Sequence, residues 1–348
     1  MSLVNHILPP RLSPGDTVAA VTLSWGGPGT FPYRYEAGKR QFEETFGCRV
    51  IEAPHALKNA AFIQANPQAR AEDLMWAFEN SEVKAVISTI GGEDSIRMLP
   101  FIDFDKLRRN PKIFLGYSDS TVTHFMCQRA GLVSYYGPSF MSGFAENCGI
   151  HDYLKESVRT VLFEGGSGKL RSNQSGWTVE MLPWENPENQ NTKRTLNPST
   201  GWKVLQGGEP FEGRLLGGCI NTLERIISTD LWPSLDCWKG TILFFETSES
   251  APSPAFVRKW LKGYEAQGIF DVIQGVLFGR PGGHELTEED YLEYDDMLQE
   301  IFQEAGCSRL PLISRMDFGH TDPMMVLPVG GQVRVSPAAQ TLTLQSPF

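Results

Sequence analysis

The sequence predicts an α/β protein of two lobes, and three observations carry that expectation. Apolar strand-like runs alternate with helix-like segments through residues 17–131, and the alternation resumes after residue 213. A polar segment at 164–208, rich in Gly, Ser, Asn, Pro and Thr, separates the two stretches. The chain has 348 residues, more than one ordinary core absorbs. The expected organisation is an N-terminal unit at 1–165, a long loop or linker at 166–208 and a C-terminal unit at 209–348.

In the first unit, Thr17-Val-Ala-Ala-Val-Thr22 reads as a buried strand opening into the glycine-rich Ser24-Trp-Gly-Gly-Pro-Gly29. A helix is expected over Tyr33–Phe46, where Phe42 and Phe46 share a face, then a strand at Cys48–Glu52. Ala69–Asn80 reads as a helix and Val83–Ile90 as a strand ending at Gly91-Gly92. Glu93-Asp-Ser-Ile-Arg-Met-Leu99 has the acidic first turn of a helix start. Lys112–Tyr117 is a strand, and Asp119–Ala130 a helix closed by Gly131.

In the second unit, Gly213-Arg-Leu-Leu-Gly-Gly218 leads into a helix at Ile220–Ser228. Strands are expected at Gly240–Phe245, with Glu246 at the end, at Gly275–Arg280 and at Leu312–Arg315. Helices are expected at Phe256–Gln267 and Tyr291–Ala305. Gln332–Ser336 and Gln340–Leu344 alternate like two exposed or edge strands, a β tail to this lobe.

Composition removes several function classes. Asp and Glu outnumber Lys and Arg by 41 to 31, a net charge of −10 that repels phosphate backbones. No apolar run approaches the ~18 residues that span a bilayer, and the first ten residues do not read as a signal peptide. The six cysteines form no C-x-x-C pair and no zinc-type spacing with histidine, so reduced thiols in a cytoplasmic protein and no structural metal are expected.

The chemistry concentrates at Ile113-Phe-Leu-Gly-Tyr-Ser118-Asp119. A strand runs into a helix with serine at the junction, the arrangement that lifts a nucleophilic hydroxyl clear of the backbone. The helix N-terminus there favours developing negative charge, and the N–H of Asp119 is the natural oxyanion donor. A second amide is expected from Gly91 or Gly92. Serine needs a base, usually an imidazole oriented by a carboxylate. His320, in the glycine-hinged Asp317-Phe-Gly-His-Thr-Asp-Pro323, is the leading candidate and His284 the runner-up; His124 reads as a packed core histidine. Glu246, ending a very apolar strand, is favoured as the carboxylate, with Glu249 in reserve. Trp177, Trp184 and Trp202 in the polar segment are either aromatic surfaces for a ligand or pins for the loop. Arg280 and Arg315 are candidates to grip a substrate carboxylate, with structural ion pairing as the competing use.

Taken together, these segments resemble the serine peptidase family that comprises the LD-carboxypeptidases and the microcin C immunity peptidases. The matching stretches are Leu12-Ser-Pro-Gly-Asp-Thr17, Thr89-Ile-Gly-Gly-Glu-Asp-Ser95, Gly116-Tyr-Ser-Asp119, Gly213-Arg-Leu-Leu-Gly-Gly218, Leu243-Phe-Phe-Glu246 and Phe318-Gly-His320. The resemblance implies a catalytic triad of Ser118, His320 and Glu246. It also implies a flavodoxin-like N-terminal lobe, an α/β C-terminal lobe and an active site between them. A homodimer, a cytoplasmic location and no metal or cofactor follow from the same resemblance. Cys219 departs from it, since many members carry asparagine there.

The expected activity is hydrolysis of an amide near the C-terminus of a small peptide or a peptidyl- or aminoacyl-nucleotide conjugate. The long tryptophan-bearing segment looks more like the microcin-immunity branch, where such an aromatic resembles a stacking platform; Trp184 or Trp202 fits that role. The competing enzyme reading is a murein tetrapeptide LD-carboxypeptidase, and the competing class a non-catalytic small-ligand binder.

Overall fold

A strand that is apolar on both faces must be covered on both. Thr17–Val21 is buried along its whole length, Val18 and Ala20 entering one apolar layer and Ala19 and Val21 the other. The computed structural model describes residues 6–164, 168–283 and 285–345. Helix Pro32–Phe46 covers the Val18 and Ala20 face with Tyr35 and Phe42, and helix Pro67–Glu79 the Ala19 and Val21 face with Leu74 and Phe78. Gly47 at φ 71° and Gly131 at φ 74° end their helices in the left-handed conformation, and Gly131 is the stop read from sequence.

Among the described residues fourteen strands join in one sheet. Five run parallel in the order Arg49–Glu52, Thr17–Val21, Val83–Ser88, Ile113–Gly116 and Ser134–Tyr136. A second parallel block runs Leu327–Val329, Phe211–Cys219, Thr241–Glu246, Gly275–Gly279 and Leu312–Met316. The blocks meet edge to edge where Ser134–Tyr136 pairs antiparallel with Leu327–Val329. The fold is therefore α/β with a large, mostly parallel sheet.

Three local expectations are corrected. Gly213–Gly218 does not merely lead into a helix: it lies inside the strand Phe211–Cys219, which pairs with Thr241–Glu246. A Cβ at Gly217 would fall 1.7 Å from Phe244 O, so glycine permits the close pairing and also erases the strand pattern. The segment 166–208 contributes to the sheet. Lys169–Arg171 pairs with Thr341–Leu344, and Lys203–Gln206 closes the far edge against Leu312–Met316. The predicted helix start at Glu93 moves to Ser95, as a 3-10 segment Ser95–Phe101 with Pro100 inside it. No described helix is long and apolar enough to cross a membrane.

Candidate active site

The carboxyl ends of strands from both blocks converge where the blocks join. Gly116 lies opposite Tyr136 in one register and Cys219 opposite Glu246 in another. Chain folding alone thus brings Tyr136, Glu246 and the turn after Gly116 to one place.

Ser118 opens that turn with φ 59°, a left-handed conformation costing about 1–3 kcal/mol in a non-glycine residue. It starts a 3-10 turn, Ser118–Ser120, that continues into the helix Thr121–Ala130. Its Oγ lies 3.1 Å from His320 Nε2, and His320 Nδ1 donates to Glu246 Oε2 at 2.7 Å. Glu246 is fully buried, and its Oε1 accepts a short hydrogen bond from the Tyr136 hydroxyl, which in turn accepts the Ser118 N–H at 3.1 Å. Gly319, at φ 98°, makes the close approach of the His320 loop feasible: a Cβ there would lie 2.6 Å from Glu246 Cγ. Burial alone would lower the His320 pKa; Glu246, with help from Glu249 and Asp322, outweighs it and holds the imidazole above its ordinary 6.5.

The glycine pair expected to supply an amide abuts the serine. A Cβ on Gly91 would lie 2.9 Å from Ser118 Cβ, so only glycine lets this loop come so close. Gly92, at φ 141°, backs instead onto Ser24, whose Oγ would be 2.5 Å from an added Cβ. Asp119 follows Ser118 with its side chain turned inward. Its carboxylate accepts from Ser24 Oγ at 2.7 Å, Ser95 N–H at 2.8 Å and Arg225 at 3.3 Å, tying the turn to the loops around it.

A cavity of about 470 Å³ opens above Ser118 and His320 and extends to an aromatic wall of Trp25, Phe31 and Trp184. Trp184 meets Phe31 edge to face at 5.9 Å, and the Arg34 guanidinium lies 4.9 Å from its ring centre. Arg34 is buried and held by neutral acceptors, Asn147 Oδ1, Gln190 Oε1 and Met141 O. Arg194, from the polar segment, pairs with Glu146 and reaches Asp322 at 2.8 Å. That pairing fastens the segment over the cavity, next to the His320 loop.

Not every candidate residue reaches the cavity. Trp202 is 3% exposed and its indole donates to Asp317 at 2.7 Å, so it is corrected from ligand platform to buried pin. Trp177 lies under Arg280, 4.7 Å from the guanidinium, and is likewise a pin. Arg280 pairs with Asp317 and Arg315 with Asp295 and Glu288, which leaves neither for a substrate. His124 is buried between Ser134 Oγ and Gly116 O, and burial pushes its pKa down to about 4. Glu249 meets His320 at Nε2, not at the nitrogen a triad carboxylate orients. His284 lies outside the described residues.

Sequence reasoning missed Tyr136, Arg34 and Arg194. Only Tyr136 had a signal, as the last residue of a strand beside the nucleophile turn; the other two come into place through the tertiary fold. Cys219, Glu246 and His320 carry possible metal-ligand atoms within 4.8 Å of one another. The contact of 2.7 Å between Nδ1 and Oε2 fits a shared proton. Two ligands on zinc stand ~3.3 Å apart, given bonds of about 2.0–2.2 Å. Burial also drives the Cys219 thiol pKa far up, which disfavours the thiolate a metal needs.

Residues 18–137 match the LD-carboxypeptidase N-terminal domain and residues 212–335 the LD-carboxypeptidase C-terminal domain. The chain belongs to the LD-carboxypeptidase family. It is accordingly a serine peptidase. Among relatives of the LD-carboxypeptidase family, it is 27% identical to the microcin C7 self-immunity protein MccF of Escherichia coli, over 96% of this chain and 95% of that protein. It is 31% identical to YocD of Bacillus subtilis, named as a carboxypeptidase, over 86% of each. The fold superposes on an MccF-like protein from Streptococcus pneumoniae in complex with AMP with a TM-score of 0.87, at 31% identity over 96% of this chain and all of the other. MccF in complex with aspartyl sulfamoyl adenosine matches with a TM-score of 0.83 at 25% identity over 98% and 99%.

Proposed function

We propose that this serine peptidase hydrolyses the acyl bond of a small aminoacyl- or peptidyl-nucleotide conjugate through Ser118, His320 and Glu246. His320 Nε2 takes the hydroxyl proton as Ser118 Oγ bonds to the carbonyl carbon. The N–H of Asp119 and that of Gly91 or Gly92 hold the oxyanion. Nε2 then gives its proton to the leaving nitrogen as the C–N bond breaks. Water attacks the acyl-enzyme, with the same nitrogen taking its proton, and Ser118 regains its own. Glu246 fixes Nδ1–H and stabilises the imidazolium.

One observation carries the substrate reading: the cavity that holds Ser118 and His320 also holds the Trp184, Phe31 and Trp25 wall with Arg34 beside it. A flat base can lie on the aromatic surface, with Arg34 near its anionic linkage. The AMP bound by the pneumococcal relative supports the same reading.

The test offers the protein an aminoacyl sulfamoyl adenosine and a muramyl tetrapeptide in parallel. Cleavage of the nucleoside conjugate, with a fluorophosphonate probe labelling Ser118, is the expected result. Cleavage of the tetrapeptide alone would move the enzyme to murein peptides, and absence of both cleavage and labelling would leave a ligand binder.

A further inference from the structure

Glu249 lies three residues beyond the strand Thr241–Glu246, and its Oε2 is 3.1 Å from His320 Nε2. That nitrogen is the one facing Ser118 Oγ. The imidazole is therefore flanked by a carboxylate at each nitrogen: Glu246, fully buried, and Glu249, 61% exposed in the cavity. A hydrogen-bonded turn holds Glu249 there, with the Ser248 N–H donating to Asn221 Oδ1 at 3.1 Å and the Ala251 N–H to Ser248 O at 3.0 Å.

The two contacts at Nε2 make opposite demands. To take the serine proton, Nε2 must be bare. A bare ring nitrogen has no hydrogen for a carboxylate, and the two lone pairs repel. Among the described residues nothing else donates to Glu249. Among the described residues the surroundings offer no spare cation: Glu180, Glu185 and Asp322 also line the cavity, Arg194 is engaged by Glu146 and Asp322, and Arg34 stands at the Trp184 end. In the protonation state that reacts, the Glu249 carboxylate has water alone for a donor until substrate supplies a cation.

We propose that Glu249 binds a primary ammonium on the acyl side of the scissile bond, making the enzyme selective for substrates that carry such a cation beside the reacting carbonyl. The inference rests on the roles assigned to Ser118 and His320 above. A carbonyl carbon poised about 3–3.5 Å from Ser118 Oγ has its α-nitrogen two bonds further on, on the scale of the two 3.1 Å contacts that lead from Oγ to Oε2. An α-ammonium fits this description, and so does the side-chain ammonium of a diamino acid. In drawing Glu249 away from Nε2, the ammonium also frees the base to take the serine proton.

The test compares substrate pairs that differ only in this charge. Leucyl against N-acetyl-leucyl sulfamoyl adenosine reads the α-ammonium; N-acetyl-lysyl against N-acetyl-norleucyl sulfamoyl adenosine reads the side-chain one. Wild type should favour the cationic member of at least one pair by about tenfold in kcat/KM, and Glu249→Gln should bring that ratio to about one. Glu249→Lys should turn the preference towards aspartyl over lysyl conjugates. Equal rates on both members of each pair in wild type, or a preference that survives Glu249→Gln, would overturn the assignment. Binding of the same pairs to Ser118→Ala, with and without Glu249→Gln, separates the two layers. A Glu249-dependent ammonium preference in binding without any turnover by wild type would sink the hydrolytic reading and keep the subsite.

Discussion

The hydroxyl of Tyr136 joins Ser118 to Glu246, accepting the Ser118 N–H at 3.1 Å and donating to Glu246 Oε1. One fully buried side chain thus anchors both the strained turn that carries Ser118 and the carboxylate bonded to His320 Nδ1. Tyr136→Phe removes both bonds and leaves a backbone N–H and a carboxylate oxygen without their partner. It should cost about 1–3 kcal/mol in stability and lower kcat more than it raises KM. Chemical denaturation alongside steady-state kinetics checks both, and an unchanged kcat would show that the tyrosine only fills space.

The acid limb of the pH–rate profile should stand above the ordinary histidine value. Burial opposes the charged form of His320, but Glu246, Glu249 and Asp322 together raise its pKa above 6.5. The proposed role as base requires the neutral ring, so activity should fall as pH drops through that raised value and recover above it. Glu249→Gln removes one of the three carboxylates and should move the limb to lower pH. The profile of kcat/KM for both proteins measures the shift, and a limb that stays in place would contradict the electrostatic argument.

Trp184 and Trp202 should respond in opposite ways. Trp184→Ala strips the cavity wall and should raise KM for a nucleotide conjugate about tenfold with kcat little changed. Trp202→Ala opens a buried space and removes one of the two N–H groups that Asp317 Oδ2 accepts, at a cost of about 3–5 kcal/mol in stability. Melting curves and kinetics on the two variants give the contrast directly.

These two tryptophans also mark how far the sequence could be read. The strand-to-helix alternation, the helix stop at Gly131, the placing of Ser118 and Glu246 at strand ends and that of His320 in a glycine-hinged loop were all legible, because each is a local pattern of period or turn residue. The strand Phe211–Cys219 was not, because its glycines, needed for backbone contact with Phe244, carry no apolar alternation. The strands inside 166–208 are only three and four residues long and take their stability from the sheet edges they join. Both Trp184 and Trp202 sit in this polar stretch, and only tertiary contacts separate the wall from the pin.

Arg194 should prove more important to the folded state than an ordinary surface arginine. Burial alone would raise the Glu146 carboxyl, but His151 and Arg194 outweigh it and bring its pKa down to about 2. Glu146 therefore contributes stability above its unfolded value near 4.5 and loses that contribution as pH falls towards about 2. Arg194→Ala leaves Glu146 buried beside a missing partner and should cost about 3–5 kcal/mol at neutral pH, with a higher KM as the polar segment loosens over the cavity. Urea unfolding at neutral and acidic pH checks the sign, since the gap between wild type and variant should narrow in acid.

The most direct measurement is the turnover of Ser118→Ala on an aminoacyl sulfamoyl adenosine that the wild-type protein cleaves. The expected result is a loss of ~10⁴- to 10⁶-fold in kcat with the melting temperature preserved. Hydrolysis by the folded variant at a rate near wild type would contradict it.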